Sequence, residues 1–143
     1  RLRPIVTVRV GERGGRGGGA DLSDPAHEPC AALLASPAGP IVTTGLVIAE
    51  ASYLISRELG AGPEALLFQA IAQGEVHVAD LVQSDWVRIH QLVEDYRDLP
   101  LGGTDASVIA LAERLDQSTV ATLDHRHFGV VRPTHRDAFD LLP

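Results

Sequence analysis

Three carboxylates stand where solvated charge is not expected. Glu50 lies in Leu46-Val47-Ile48-Ala49-Glu50-Ala51-Ser52-Tyr53-Leu54-Ile55, and on a helix its neighbours three and four residues away are Leu46, Val47, Tyr53 and Leu54. A carboxylate in such an apolar stripe has to be paired, protonated or bound to a cation, because an ionised, unpartnered one in low dielectric is strongly disfavoured. Arg57 and Arg88 are the available ion-pair partners. Asp105 opens Thr104-Asp105-Ala106-Ser107-Val108-Ile109, where Val108 and Ile109 face the core. Negative charge in a first helical turn is favoured by roughly 0.3–1 kcal/mol, so Asp105 or Thr104 can also simply cap the helix. Asp124 follows Val120-Ala121-Thr122-Leu123 and so ends a strand that is apolar on both faces. Open α/β sheets form ligand sites at that end, although an Asp there can equally start a turn. Oxygens converging from these positions would suit a hard cation, Mg²⁺ or Mn²⁺. Such an ion can polarise a phosphodiester and lower the pKa of an attacking water, and a second can stabilise the leaving oxygen.

The elements that must position these acids follow from the punctuation of the chain. Ile5 to Val10 reads as a short strand, Asp24-Pro25 as the start of a helix with Pro29 delaying it, and Ile41-Val42-Thr43 as a buried strand. Thr44 caps a helix to about Leu59 that Gly60 ends. Pro63 opens a helix closed by Gly74, Val76 to Leu81 is strand-like, and Ser84 caps a helix through about Arg97. After the loop Leu99-Pro100-Leu101-Gly102-Gly103, Thr104 starts a helix to about Asp116. Ser118 to Leu123 is a strand, and Phe139 to Leu142 a last edge strand. Short β-rich runs alternating with longer helical patterns predict an α/β domain with a largely parallel sheet covered by helices.

The chain has 143 residues, 45% hydrophobic and 22% charged, which fits one domain with a buried core, spanning 1–143. One cysteine, Cys30, excludes an internal disulfide and a cysteine zinc site and reads as a small packed residue. No apolar run approaches the roughly 20 residues that span a bilayer, and the start lacks the apolar stretch of a signal peptide. The expectation is a soluble cytoplasmic protein without membrane contact. The net charge of −7 is unevenly spread: residues 1–19 hold five Arg against Glu12, and residues 20–143 hold seven Arg against eighteen acids. An acidic body excludes a broad nucleic-acid-binding surface, but not a compact site where cations meet phosphates. Residues 1–20 are atypical. Six of residues 11–19 are glycine, so this segment reads as a mobile loop, an RGG-like RNA tail being the alternative.

Three segments together resemble the PIN-domain ribonucleases, specifically VapC-type toxins: Thr43-Thr44-Gly45-Leu46-Val47-Ile48-Ala49-Glu50, Leu99-Pro100-Leu101-Gly102-Gly103-Thr104-Asp105-Ala106-Ser107, and Ala121-Thr122-Leu123-Asp124-His125-Arg126-His127-Phe128. The likeness runs from about Asp21 to Pro143. It implies a three-layer α/β/α PIN-like fold and an endoribonuclease that depends on Mg²⁺ or Mn²⁺ and is neutralised by a cognate antitoxin, with a homodimer as the expected assembly. Glu50, Asp105 and Asp124 become metal-binding, catalytic acids, Thr122 and Thr104 supporting groups, and Arg126 a contact to RNA phosphates. The family also places an acid at the end of its first strand. Here Ile5 to Val10 runs into glycine with no Asp. The alternative expectation is therefore an impaired homologue that keeps antitoxin and dimer contacts but turns over no RNA; a different acid-dependent phosphohydrolase is a third.

Other residues carry less. His125 and His127 beside Asp124 could bind a transition metal, though a local role toward phosphates or carbonyls fits better. His90, on a seam with Trp86, Ile89 and Val93, reads as a satisfied core histidine. The glycines of 11–19 spell neither a dinucleotide nor a P-loop fingerprint. An Arg/Gly-rich start is what a GC-rich gene gives when read out of frame. Translating the same nucleotides in the other two frames is expected to yield a strand ending in Asp; its absence from both would refute the idea.

Overall fold

The structure, a computed structural model, describes residues 5–6, 41–99, 101–122 and 125–142. The expected helix near Asp24-Pro25, Cys30, the glycine-rich 11–19 and Asp124 lie outside these residues. In chain order the elements are β1 (Ile5–Val6), β2 (Ile41–Thr44), α1 (Gly45–Leu59), α2 (Ala61–Ala72), β3 (Val76–Ala79), α3 (Gln83–Asp95), α4 (Gly103–Arg114), β4 (Thr119–Ala121), α5 (His125–Val130) and β5 (Asp140–Leu142).

Among the described residues five strands form one sheet in the order β3-β2-β1-β4-β5, and every neighbouring pair is parallel. With helices covering the sheet, this is the three-layer α/β/α arrangement expected. The strand order has a consequence for function. The chain builds outward from β1 through β2 to β3, then returns to lay β4 and β5 on the opposite side of β1. The order thus reverses between β1 and β4, and crevices that bind ligands form at such a reversal, beyond the carboxyl ends of the strands. Thr44 ends β2 at that rim, and Thr122 follows β4 there.

The helices start and stop for local reasons. Thr44 caps α1, its hydroxyl accepting from the Val47 N–H at 3.3 Å, and Gly60 ends it at φ 89°, a conformation that favours glycine. α2 begins two residues before Pro63, which sits within its first turn where its missing N–H costs nothing. α3 begins at Gln83, earlier than Ser84 suggests. Its cap is Val82, whose N–H donates to the Asp85 carboxylate at 3.0 Å, so the acid three residues in does the work assigned to the serine. β3 stops at Ala79, and the next carbonyl, that of Asp80, accepts from Arg114 Nη2 at 2.8 Å.

α4 is the spine of the core. Its residues Asp105 to Ala112 are all buried, as in a helix surrounded on every side, and they pack with Val42, Val47, Ile89, Leu92, Phe128 and Phe139. α3 lies against α4 and is fastened to it by charge: Arg88 Nε and Nη2 fork onto Glu113 at 2.8 and 3.0 Å, and Arg114 Nε reaches both oxygens of buried Asp85 at 3.0 and 2.9 Å. The hydrogen bond to Glu113 pushes the Arg88 guanidinium up from its ordinary pKa, against a smaller opposing effect of burial. α2 is the opposite case: it buries no residue, and Leu66 is 64% exposed. His90 also departs from expectation. It is exposed, as are Trp86 and Val93, because α3 buries the face carrying Asp85, Ile89 and Leu92.

These burial differences predict unequal costs. Leu111→Ala should destabilise the chain by about 2–5 kcal/mol, and Leu66→Ala by no more than about 0.5 kcal/mol. Urea unfolding followed by circular dichroism measures both; equal costs would contradict the packing described.

Candidate active site

Asp105 is delivered by the first turn of α4. The cap of that helix is Gly102, not Thr104 or Asp105, so neither side chain serves as the N-cap. The carboxylate is 3% exposed and lies where the positive end of the helix dipole favours negative charge. His127 Nδ1 is 3.1 Å from Asp105 Oδ2, and the imidazole is itself buried.

Glu50 comes from the second turn of α1. Its surroundings are wetter than an apolar stripe: Tyr53 is 63% exposed, Leu46 and Leu54 are half-buried, and Val47 alone of its four neighbours is buried. The carboxylate is half-buried. Neither expected ion pair forms, since Arg57 binds Glu58 at 2.7 Å and Arg88 binds Glu113. Among the described residues Glu50 has no hydrogen-bond or ion-pair partner. It faces the same open hollow of about 460 Å³ as Asp105, lined also by Leu46, Gly102, Gly103 and Thr104.

Buried hydroxyls hold the two helices in register. Thr44 Oγ1 and Ser107 Oγ are 2.8 Å apart, and Ser107 Oγ donates to the Thr104 carbonyl at 2.7 Å. Because the Ser107 proton goes to Thr104, Thr44 must donate to Ser107, while Thr44 Oγ1 accepts from Val47 N–H. Protons therefore run in one direction from the start of α1 to the start of α4, and Glu50 and Asp105 ride on the helices so joined.

Thr122 is buried next to the end of β4, its N–H donating to the Leu142 carbonyl at 2.8 Å. Arg126 is exposed on α5 and has no carboxylate partner among the described residues. His125 is exposed while His127 is buried; two residues apart on a helix they face different ways, so they do not form a shared metal site. Three contributors were missed by sequence reasoning: Ser107, Asp85 and the His127–Asp105 bond. Asp85 carries a local signal, an acid at the third position of a helix. The other two are long-range contacts with none.

Oxygen donors dominate the hollow: two carboxylates and the Thr104 hydroxyl. This is the donor chemistry of Mg²⁺ or Mn²⁺, and two like charges on one polar cavity are relieved by a cation, so the residues present fit such an ion. Among the described residues no group of three or more His, Cys, Asp and Glu is arranged to hold a metal.

The sequence model of the PIN domain matches residues 20–132. The chain belongs to the PIN-domain family. Ribonuclease VapC26 of Mycobacterium tuberculosis is 29% identical over 123 residues, covering 86% of this PIN domain's chain and 91% of that protein. The crystal structure of VapC20 of the same organism, a toxin that cleaves the sarcin–ricin loop, superposes with a TM-score of 0.63 at 19% identity, over 73% of this chain and 80% of that one. At this identity the likeness is one of fold. The PIN match begins at residue 20, after the atypical start. Among the described residues no helix of this PIN domain is long and apolar enough to cross a membrane.

If the hydroxyl chain sets the spacing of α1 and α4, Ser107→Ala should leave the buried Thr44 proton without its acceptor and cost about 1–3 kcal/mol. Urea unfolding checks this; an unchanged midpoint would show that the hydroxyls are incidental.

Proposed function

We propose that this PIN domain is a Mg²⁺- or Mn²⁺-dependent endoribonuclease of the VapC toxin type, acting in the cytoplasm. The observation that carries the reading is that Glu50 and Asp105, from helices far apart in the chain, line one polar hollow at the rim of a parallel sheet in a chain of this family. In this reading Glu50, Asp105 and Asp124 hold the ion, with the Thr104 and Thr122 hydroxyls in support. When bound, the ion supplies Lewis acidity toward the phosphodiester and lowers the pKa of water. The chain's own part is to hold its carboxylates in place. The His127 bond restrains the Asp105 carboxylate, and the hydroxyl chain limits how far Glu50 can drift from it. Arg126, exposed and unpaired among the described residues, meets RNA phosphates on α5.

The partners in this reading are RNA, a cognate antitoxin and a second copy of the chain. Leu66 and Phe68 on α2, and Trp86 and Val87 on α3, are the exposed apolar groups that protein partners would cover. A second reading rests on a specific observation. Backbone pairing puts Ile5–Val6 in the central strand, between β2 and β4, yet residues 7–20 contain no Asp, and their one acid, Glu12, follows the glycine that ends the strand-like run. In that reading the protein keeps its partner contacts and its cleavage is impaired.

Cleavage of a fluorogenic RNA across a Mn²⁺ titration separates the two. In the first reading the chain cleaves, and Asp105→Asn or Glu50→Gln lowers the rate by about 10²-fold or more with the fold retained by circular dichroism. Cleavage that survives Asp105→Asn contradicts the first reading. An unaltered chain that is inert but gains activity from Val8→Asp supports the second.

A further inference from the structure

We propose that His127 is a positioning residue of this site: its Nδ1–H holds the Asp105 carboxylate in the orientation that a divalent cation requires. The inference rests on the proposed function and adds to it a group outside the acid set.

The argument begins with α5. The helix has six residues, and only His127 and Phe128 are buried; His125, Arg126, Gly129 and Val130 are exposed. Phe128 is apolar and packs edge-on against Phe139, which accounts for its burial by area alone. His127 cannot be explained that way, since an imidazole loses hydration when buried and needs a partner in return. Asp105 Oδ2 is such a partner, at 3.1 Å, with the two side chains 7% and 5% exposed. An ionised carboxylate only accepts, so Nδ1 carries the proton. Water competes poorly for groups this deeply buried, and the bond therefore restrains the carboxylate's rotation far more than a surface contact would.

Topology gives the contact its effect. Asp105 is on the first turn of α4, and His127 is on the short helix that follows β4, the strand beside which Thr122 lies. One hydrogen bond thus ties the two parts of the rim on either side of the strand-order reversal. Outer hydrogen bonds of this kind orient metal-binding groups and typically contribute 10–100-fold to affinity. His127 reaches Asp105 through Nδ1. The placement of its donor atom matters, because the amide nitrogen of Asn reproduces the position of Nδ1, whereas that of Gln reproduces Nε2.

The test is Mn²⁺ binding to the full chain, measured by calorimetry without RNA, for wild type, Asp105→Asn, His127→Asn and His127→Gln. The expected result is affinity about 10–100-fold weaker for His127→Gln, near-wild-type affinity for His127→Asn, and loss of binding for Asp105→Asn. If wild type and Asp105→Asn behave as expected but His127→Gln binds as wild type does, or His127→Asn is as weak as His127→Gln, the positioning role is overturned and the proposed function stands. If wild type binds no Mn²⁺, or Asp105→Asn binds as tightly, the functional reading fails and takes this inference with it. Should His127→Gln not fold, long-range ¹H–¹⁵N spectra of the wild-type imidazole decide: a proton on Nδ1 whose signal moves in Asp105→Asn supports the proposal, and an unprotonated Nδ1 overturns it.

Discussion

The geometry of the hollow depends on one short hydrogen-bonded path between residues 63 positions apart, Thr44 and Ser107. Each end of that path already has a local duty: Thr44 caps α1, and Ser107 bonds back to Thr104 in the first turn of α4. Linking the two duties through a buried hydroxyl pair means that neither helix can shift along its axis without leaving a polar group unsatisfied in the interior. The cost of that mismatch, about 1–3 kcal/mol per group, is a sizeable fraction of a typical domain's stability. Glu50 and Asp105 inherit their mutual placement from this linkage.

Electrostatics sharpens the contrast between structural and chemical acids. In the described residues Arg57 meets Glu58, Arg88 meets Glu113, Arg97 meets Glu94, Arg114 meets Asp85 and Arg136 meets Asp116. Each of these arginines is spent on a different acid, and none is spent on Glu50 or Asp105. Asp85 and Asp105 are about equally buried, yet Asp85 is met by Arg114 Nε at both oxygens and by a backbone N–H, while Asp105 has a histidine bond and faces the hollow. Burial alone would not distinguish them. The identity of the partner does, because an arginine is a permanent cation whose donors match a carboxylate, whereas an imidazole is a weaker partner whose charge is not permanent.

Much of this was legible in the chain, and what was not has physical reasons. The β2–α1 junction, Thr44 as its cap and Gly60 as its end are short-range features written in one hydroxyl and one glycine, and the alternation of strands and helices already implied a parallel sheet. α3 starts before Ser84 because a serine cap competes locally with an acid three residues inside a helix, and Asp85 wins by also binding Arg114. His90 and the environment of Glu50 differ from the sequence expectation for a shared reason. Helical spacing says which residues share a face, but which face turns inward is decided by tertiary packing: α3 turns Ile89 and Leu92 to the core, and α1 leaves Tyr53 outside. The pairing of His127 with Asp105 had no sequence signature because nothing local demands it.

The central claim is that the carboxylates of Glu50 and Asp105 form one site for a hard divalent cation. Anomalous diffraction from crystals of the full chain soaked in Mn²⁺ tests it most directly. The account predicts an anomalous peak bound by oxygens of both residues. A peak bound elsewhere, or none at the hollow under saturating Mn²⁺, would contradict it.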